Sequence, residues 1–254
     1  SIIVKSTPDT DSYFEVVAQS PLGMVTDSKY ADINNDGIMD LVVVGDWMPI
    51  SILIGEGDDK FTNQTTIYNL GKSSGFWNTV EVIDINNDGK LDIIAGNSGL
   101  NHKWKANEEF PVKVYLDDFD DNSSLDPIIY FNFFGDAVPF ASRDKLVSSL
   151  PYLKKKFLKY NDFVEARDIV SLTDRKDIFE TKFVNEMRSM IYIQDEENKF
   201  MSVPLPNELQ ISSIEDFFVD GDKIYYVGNF SGYVSELGPS LSNSGGLLIG
   251  FDGY

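Results

Sequence analysis

The sequence predicts an all-β protein of the β-propeller class with a small α-helical insertion. Three observations predict it: near-identical segments recur along the chain, each sets short β-rich runs on both sides of a Gly/Asp/Asn turn, and four such runs fit each repeating unit of about 40–60 residues. Residues 30–45, YADINNDGIMDLVVVG, match residues 82–96, VIDINNDGKLDIIAG, almost position for position. A third copy, YLDDFDDNSSLDPIIYF, covers 115–131. A weaker echo with a shortened loop, EDFFVDGDKIYYVGN, covers 215–229; its Val227-Gly228-Asn229 parallels Ala95-Gly96-Asn97.

The remaining elements follow in order. The N-terminal SIIVKSTPDTDSYFEVV reads as strand, turn, strand, so the chain is expected to start inside a fold. ISILIGEGDDKFTNQT (50–65) and SMIYIQDEENKFMSV (189–203) share a pattern of strand, polar turn, then Lys-Phe opening a second strand. Residues 141–188 break the strand pattern with apolar residues at i, i+3, i+4 spacing. Ser142, Asn161 and Thr173 are placed to cap helices, and Pro151 suits a first helical turn. This predicts two to four short helices inserted within the third blade, with an apolar stripe of Leu146, Leu150, Leu153, Phe157, Phe163 and Ile169. Residues 1–254 are thus expected to form one propeller domain, or a propeller fragment, of about four to five blades.

Composition narrows the function. A formal charge of −20 repels nucleic-acid phosphates and anionic lipids, so no nucleic-acid partner is expected. With no cysteine, disulfides, thiolate metal sites and cysteine nucleophiles are excluded. No apolar run is long enough for a transmembrane helix.

The repeated loops carry the chemistry. Loop one offers Asp32, Asn34, Asp36 and Asp40 at positions 1, 3, 5 and 9, with the Ile38 carbonyl at position 7. Loop two offers Asp84, Asn86, Asp88 and Asp92 with the Lys90 carbonyl; loop three offers Asp118, Asp120, Asn122 and Asp126 with the Ser124 carbonyl. Calcium takes six to eight oxygens in flexible geometry, and one tight turn can deliver most of them. Gly37 and Gly89 at position 6 supply the positive φ such a turn needs, whereas loop three has Ser123 there. Two strong Ca2+ sites and a weaker third are expected. An EF-hand is excluded because position 12 is Val43, Ala95 or Ile129 rather than glutamate, and the flanks read as strands.

These loops resemble the FG-GAP, or VCBS, repeats of integrin α-subunit propellers and bacterial exported proteins. The segments Gly23-Met24-Val25-Thr26-Asp27, Gly45-Asp46-Trp47-Met48-Pro49, Phe76-Trp77-Asn78 and Gly96-Asn97-Ser98-Gly99-Leu100-Asn101 are similar to the branch that carries ASPIC/UnbV domains, to which cartilage acidic protein is related. The Arg143-Asp144-Lys145-Leu146, Leu150-Pro151 and Leu205-Pro206 segments fit the same branch. The resemblance implies calcium between two strands of a blade, export to the periplasm, cell surface or exterior, and binding of a protein or glycan partner.

No catalytic motif is recognised. His102 is the single histidine, and there is no Gly-x-Ser-x-Gly elbow. The alternative reading is part of a polysaccharide lyase or hydrolase using carboxylates outside the calcium loops. Trp47, Trp77 and Trp104 could stack on a carbohydrate or peptide, but the preferred reading packs them between blades.

Overall fold

The computed structural model describes residues 2–6, 14–19, 21–221, 223–234 and 236–249. It divides into two compact units: residues 1–103 with 186–254, and residues 104–185. Both are built on antiparallel sheets.

In the first unit, β1 (Ile2–Ser6) pairs with β2 (Phe14–Gln19); the turn expected between them lies outside the described residues. A complete blade follows: β3 (Met24–Ala31), β4 (Asp40–Met48), β5 (Ser51–Gly55) and β6 (Phe61–Asn63), each hydrogen-bonded to the next. The second blade begins with β7 (Gly75–Ile83) and β8 (Asp92–Asn97) but is completed by β13 (Met190–Gln194) and β14 (Phe200–Pro204). A three-stranded sheet of β15 (Ile214–Asp220), β16 (Lys223–Gly228) and β17 (Gly245–Ile249) follows. The likeness of 50–65 to 189–203 now has its cause: both are the outer hairpins of blades.

Strands buried on both faces cannot alternate apolar with polar, and β4 (DLVVVGDWM) and β8 (DIIAGN) accordingly read as apolar runs. Val42 and Val44 face the second blade, in a cluster with Trp77, Ile93, Met190 and Phe200; Leu41 and Val43 face away, with Met48 and Leu53. The second blade uses its other face, through Ile94, Ile191 and Ile193, to pack on Ile214, Phe217 and Ile224 of the third sheet.

The innermost strands are joined by a repeating polar ladder. β3, β7 and β15 each bulge at the matching place, between Val25 and Asp27, Trp77 and Thr79, and Ile214 and Asp216. The bulged side chains reach the next strand: Thr26 Oγ1 donates to the Trp77 carbonyl (2.6 Å) and Asn78 Nδ2 to the Ile214 carbonyl (2.9 Å). Asp27 accepts from the Thr79 hydroxyl and the Val80 amide, and Lys29 pairs with Glu81. Opposite each bulge stands a glycine. A Cβ on Gly45 would lie 2.1 Å from the Met24 oxygen, and one on Gly96 would lie 2.8 Å from the Ile214 oxygen. Gly228 is equally crowded, by Ser213 and Asn243, so the weak fourth echo is a blade hairpin built on the same backbone approach.

Asp46, at the end of β4, has its carboxyl pushed up to about 6, chiefly by burial and secondarily by the charge of Glu215. Between an unfolded value of about 4 and this folded value, the native chain holds a proton that the unfolded chain has released. Stability from this group is therefore full at low pH and falls as pH rises through that window. Asp46→Asn should raise stability at pH 7 by about 1–2 kcal/mol and flatten the fall between pH 4 and 6. Urea denaturation across pH 4–7 measures this; an unchanged slope would contradict it.

The second unit is inserted between β8 and β13. Its sheet runs β11 (Asp136–Pro139), β10 (Asp126–Phe133), β9 (Val112–Asp117), β12 (Glu180–Val184). Four short helices join β11 to β12: α1 (Arg143–Ser149), α2 (Leu153–Lys156), α3 (Tyr160–Val164) and α4 (Ile169–Thr173). Their apolar stripe packs on their own sheet, where Leu146, Leu150, Leu153 and Phe157 cluster with Phe119, Ile128 and Tyr130.

Ser142 caps α1 as its spacing predicts, but Asn161 lies inside α3 and Thr173 closes α4. Asp168 caps α4 instead, in a reciprocal box with Ser171. A carboxylate reaches the third amide as well as a hydroxyl does, and Asp168 was not among the caps expected from the sequence.

Candidate metal centre

The three loops are one structure used three times. Each joins two antiparallel strands whose closing pair is Ala31↔Asp40, Ile83↔Asp92 or Asp117↔Asp126. Position 4 is left-handed in all three (Asn35 φ 57°, Asn87 φ 59°, Asp121 φ 60°), and so is position 6 (Gly37 φ 84°, Gly89 φ 88°, Ser123 φ 69°). Such a backbone turns successive amides and side chains toward one centre.

The carboxylate at position 1 takes the amides of positions 5 and 6. Asp32 accepts from Asp36 and Gly37, Asp84 from Asp88 and Gly89, and Asp118 from Asn122 and Ser123. Position 5 accepts from position 7: Asp36 from Ile38, Asp88 from Lys90, Asn122 from Ser124. Position 9 spans further. Asp40 is fully buried and accepts from the Ile33 amide (2.8 Å) and the Gly55 amide (2.8 Å) in β5. Asp92, also fully buried, accepts from Ile85 (3.0 Å) and from Gln194 (2.9 Å) in β13. Burial pushes both carboxyls above their ordinary value, against the opposing pull of those amides. Position 9 thus ties loops one and two to the next strand of their blades, a role the spacing alone did not reveal; Asp126 of loop three accepts from Phe119 in its own loop.

Loop three differs in its donors. Position 3 is Asp120, where loops one and two have Asn34 and Asn86, whose amides donate to the carboxylate at position 5. Among the described residues, Asp118, Asp120 and Asp126 are the three carboxylates whose oxygens meet within 4.8 Å. Asp120 Oδ1 is shut off from solvent and has no hydrogen-bond partner. An unpartnered buried carboxylate oxygen costs more than about 1–3 kcal/mol, and a hard cation among these oxygens would relieve that cost. The donor set therefore fits Ca2+: oxygens only, three carboxylates, an amide oxygen from Asn122 and the Ser124 carbonyl.

Ser123 holds a conformation that glycine reaches without strain. Ser123→Gly should raise stability by about 0.5–1 kcal/mol, read as a shift in denaturation midpoint. A loss of stability would mean that the serine side chain, rather than the turn, sets this backbone.

Residues 32–95 match the family model described as an FG-GAP-like repeat. This part of the chain resembles that family's repeats. The match opens on position 1 of loop one, runs through β4, β5, β6 and β7, and closes in β8 after loop two. FG-GAP repeats serve as non-enzymatic interaction modules. No curated protein matches the chain.

Other candidate residues separate plainly. Trp77 is fully buried in the first cluster, and Trp104 is buried edge-on to Phe140, so neither offers a stacking surface. His102 is buried edge-on to Tyr233. Exposed aromatics lie elsewhere, among them the ring pairs Phe133–Phe134 at the β10–β11 turn and Phe218–Tyr225 on the exposed face of the third sheet.

Proposed function

We propose that this chain is a calcium-stabilised interaction module of an exported protein, related to the ASPIC/UnbV-associated branch of FG-GAP proteins and binding a protein or glycan partner. The observation that carries the calcium reading is the convergence of Asp118, Asp120 and Asp126, with one Asp120 oxygen buried and unpartnered. The same backbone recurs at loops one and two, where Asp32, Asn34, Asp36 and Asp40, and Asp84, Asn86, Asp88 and Asp92, supply the oxygens. Carboxylates held this close repel one another, so cation binding and folding are coupled.

Rigid sheets with exposed aromatic positions suit a binding surface. Phe134 is 94% exposed and Phe218 66% exposed, and each has a second aromatic ring beside it.

Asp120→Ala tests the metal reading directly, because it removes the position-3 oxygen altogether. In chelator the variant should match or exceed the wild type in stability, because it takes away one of three clustered charges. In millimolar calcium it should fall below the wild type. Equal behaviour of the two proteins in both media would reject loop three as a cation site. A pull-down of protein and glycan ligands, with and without chelator, tests the partner side; retention that ignores chelator would separate binding from calcium.

A further inference from the structure

Loop three departs from loops one and two in a second way. It holds two more acidic residues, Asp117 and Asp121, and it lacks glycine at position 6. It also has a cation of its own. Arg175, just beyond α4, donates from its guanidinium to the Asp118 carbonyl (3.2 Å) and pairs with the Asp121 carboxylate. The other three arginines bond elsewhere: Arg143 to Asp144 and Phe157, Arg167 to Asp136, Arg188 to Glu186.

An arginine beside a cation site is unexpected if charge alone matters, since like charges repel. The geometry suggests a different role. Asp118 and Asp121 bracket the first half of the turn, and Asp121 and Ser123 are both left-handed without being glycine. Asp118 in turn gathers the Asn122 and Ser123 amides on its carboxylate. One guanidinium nitrogen bonded to both a carbonyl and a carboxylate holds residues 118–121 in a fixed relation.

We propose that Arg175 is the positioning residue of loop three, preorganising Asp118, Asp120 and Asp126 for Ca2+ where loops one and two rely on glycine. This rests on the reading of loop three as a cation site. Arg175 also neutralises Asp121, which lies outside the ligand positions, so the ligand carboxylates keep their charge for the ion. The loop is thereby fastened to the segment following α4, and the helices have a direct link to the site.

The test is a calcium titration of the full chain, followed by deuterium exchange of residues 116–127, which separates loop three from loops one and two. Arg175→Gln should weaken loop-three binding by about tenfold, the lower end expected when a partner of a metal ligand is lost, and leave the other loops unchanged. Arg175→Lys should weaken it less than Arg175→Gln, because an ammonium keeps the charge and can donate to both groups from one nitrogen. Adding Ser123→Gly to Arg175→Gln should restore most of the affinity, which general destabilisation would not predict. Tighter binding in Arg175→Gln would show that Arg175 acts only as a repelling charge, and unchanged binding would show no role; either overturns the proposal. If calcium leaves exchange at 116–127 unaltered in the wild type while loops one and two respond, the cation reading of loop three fails, and this inference with it.

Discussion

Adding millimolar calcium to chelator-stripped protein should raise its melting temperature by roughly 10–20 °C. Each site held at a hundredfold excess over its dissociation constant adds about 2.7 kcal/mol, and a chain of this size gains about 2–4 °C per kcal/mol, so two strong sites suffice. The shift should follow the concentration of free calcium rather than ionic strength. Asp36→Ala combined with Asp88→Ala should remove most of it, because both residues sit at position 5, exposed, with their outward bonds made only to their own loops. In chelator that double variant should melt close to the wild type. A melting temperature indifferent to calcium and chelator alike would defeat the prediction.

Substitution at position 9 should behave in the opposite manner. Asp92→Asn and Asp40→Asn should each cost about 2–4 kcal/mol whether or not calcium is present, because an amide NH2 would be forced against a buried backbone N–H. Both oxygens of Asp92 are committed, to Ile85 and Gln194, and both of Asp40, to Ile33 and Gly55. A carboxylate has lone pairs enough to accept these bonds and still ligate an ion, so the structural role does not exclude the metal role. Denaturation with and without chelator distinguishes them. If the loss in Asp92→Asn disappears in chelator, position 9 serves the metal alone and its contacts to β13 are secondary.

The contrast between positions 5 and 9 shows what the sequence conveys and what it does not. Loop spacing, hairpin flanks and the glycine at position 6 are local features, and all three loops fold as their sequences indicate. The left-handed Ser123 follows from position counting alone, because the turn path is fixed by the residues around it. The β13–β14 hairpin was legible as a copy of β5–β6, yet its place in the second blade was not. About ninety residues separate β8 from β13, and strand pairing at that distance leaves no local pattern in the chain. For the same reason the sequence did not mark residues 104–185, which hold the sheet beside the helices, as a compact unit of their own.

The inner ladder escaped detection for a different reason. Thr26, Asn78 and Glu215 have little in common as residue types, and their equivalence becomes visible only once each bulge is set opposite Gly45, Gly96 or Gly228. Those glycines were the available signal. Nothing in the neighbours of Arg175 connects it to a loop more than fifty residues earlier.

The most direct measurement is the number of calcium ions bound per chain, by equilibrium dialysis or mass spectrometry under native conditions on the full protein. Three ions are expected at saturation, falling to two in Asp120→Ala, with loop one and loop two lost in turn through Asp36→Ala and Asp88→Ala. A fully folded protein that binds no calcium at millimolar concentration would contradict the account.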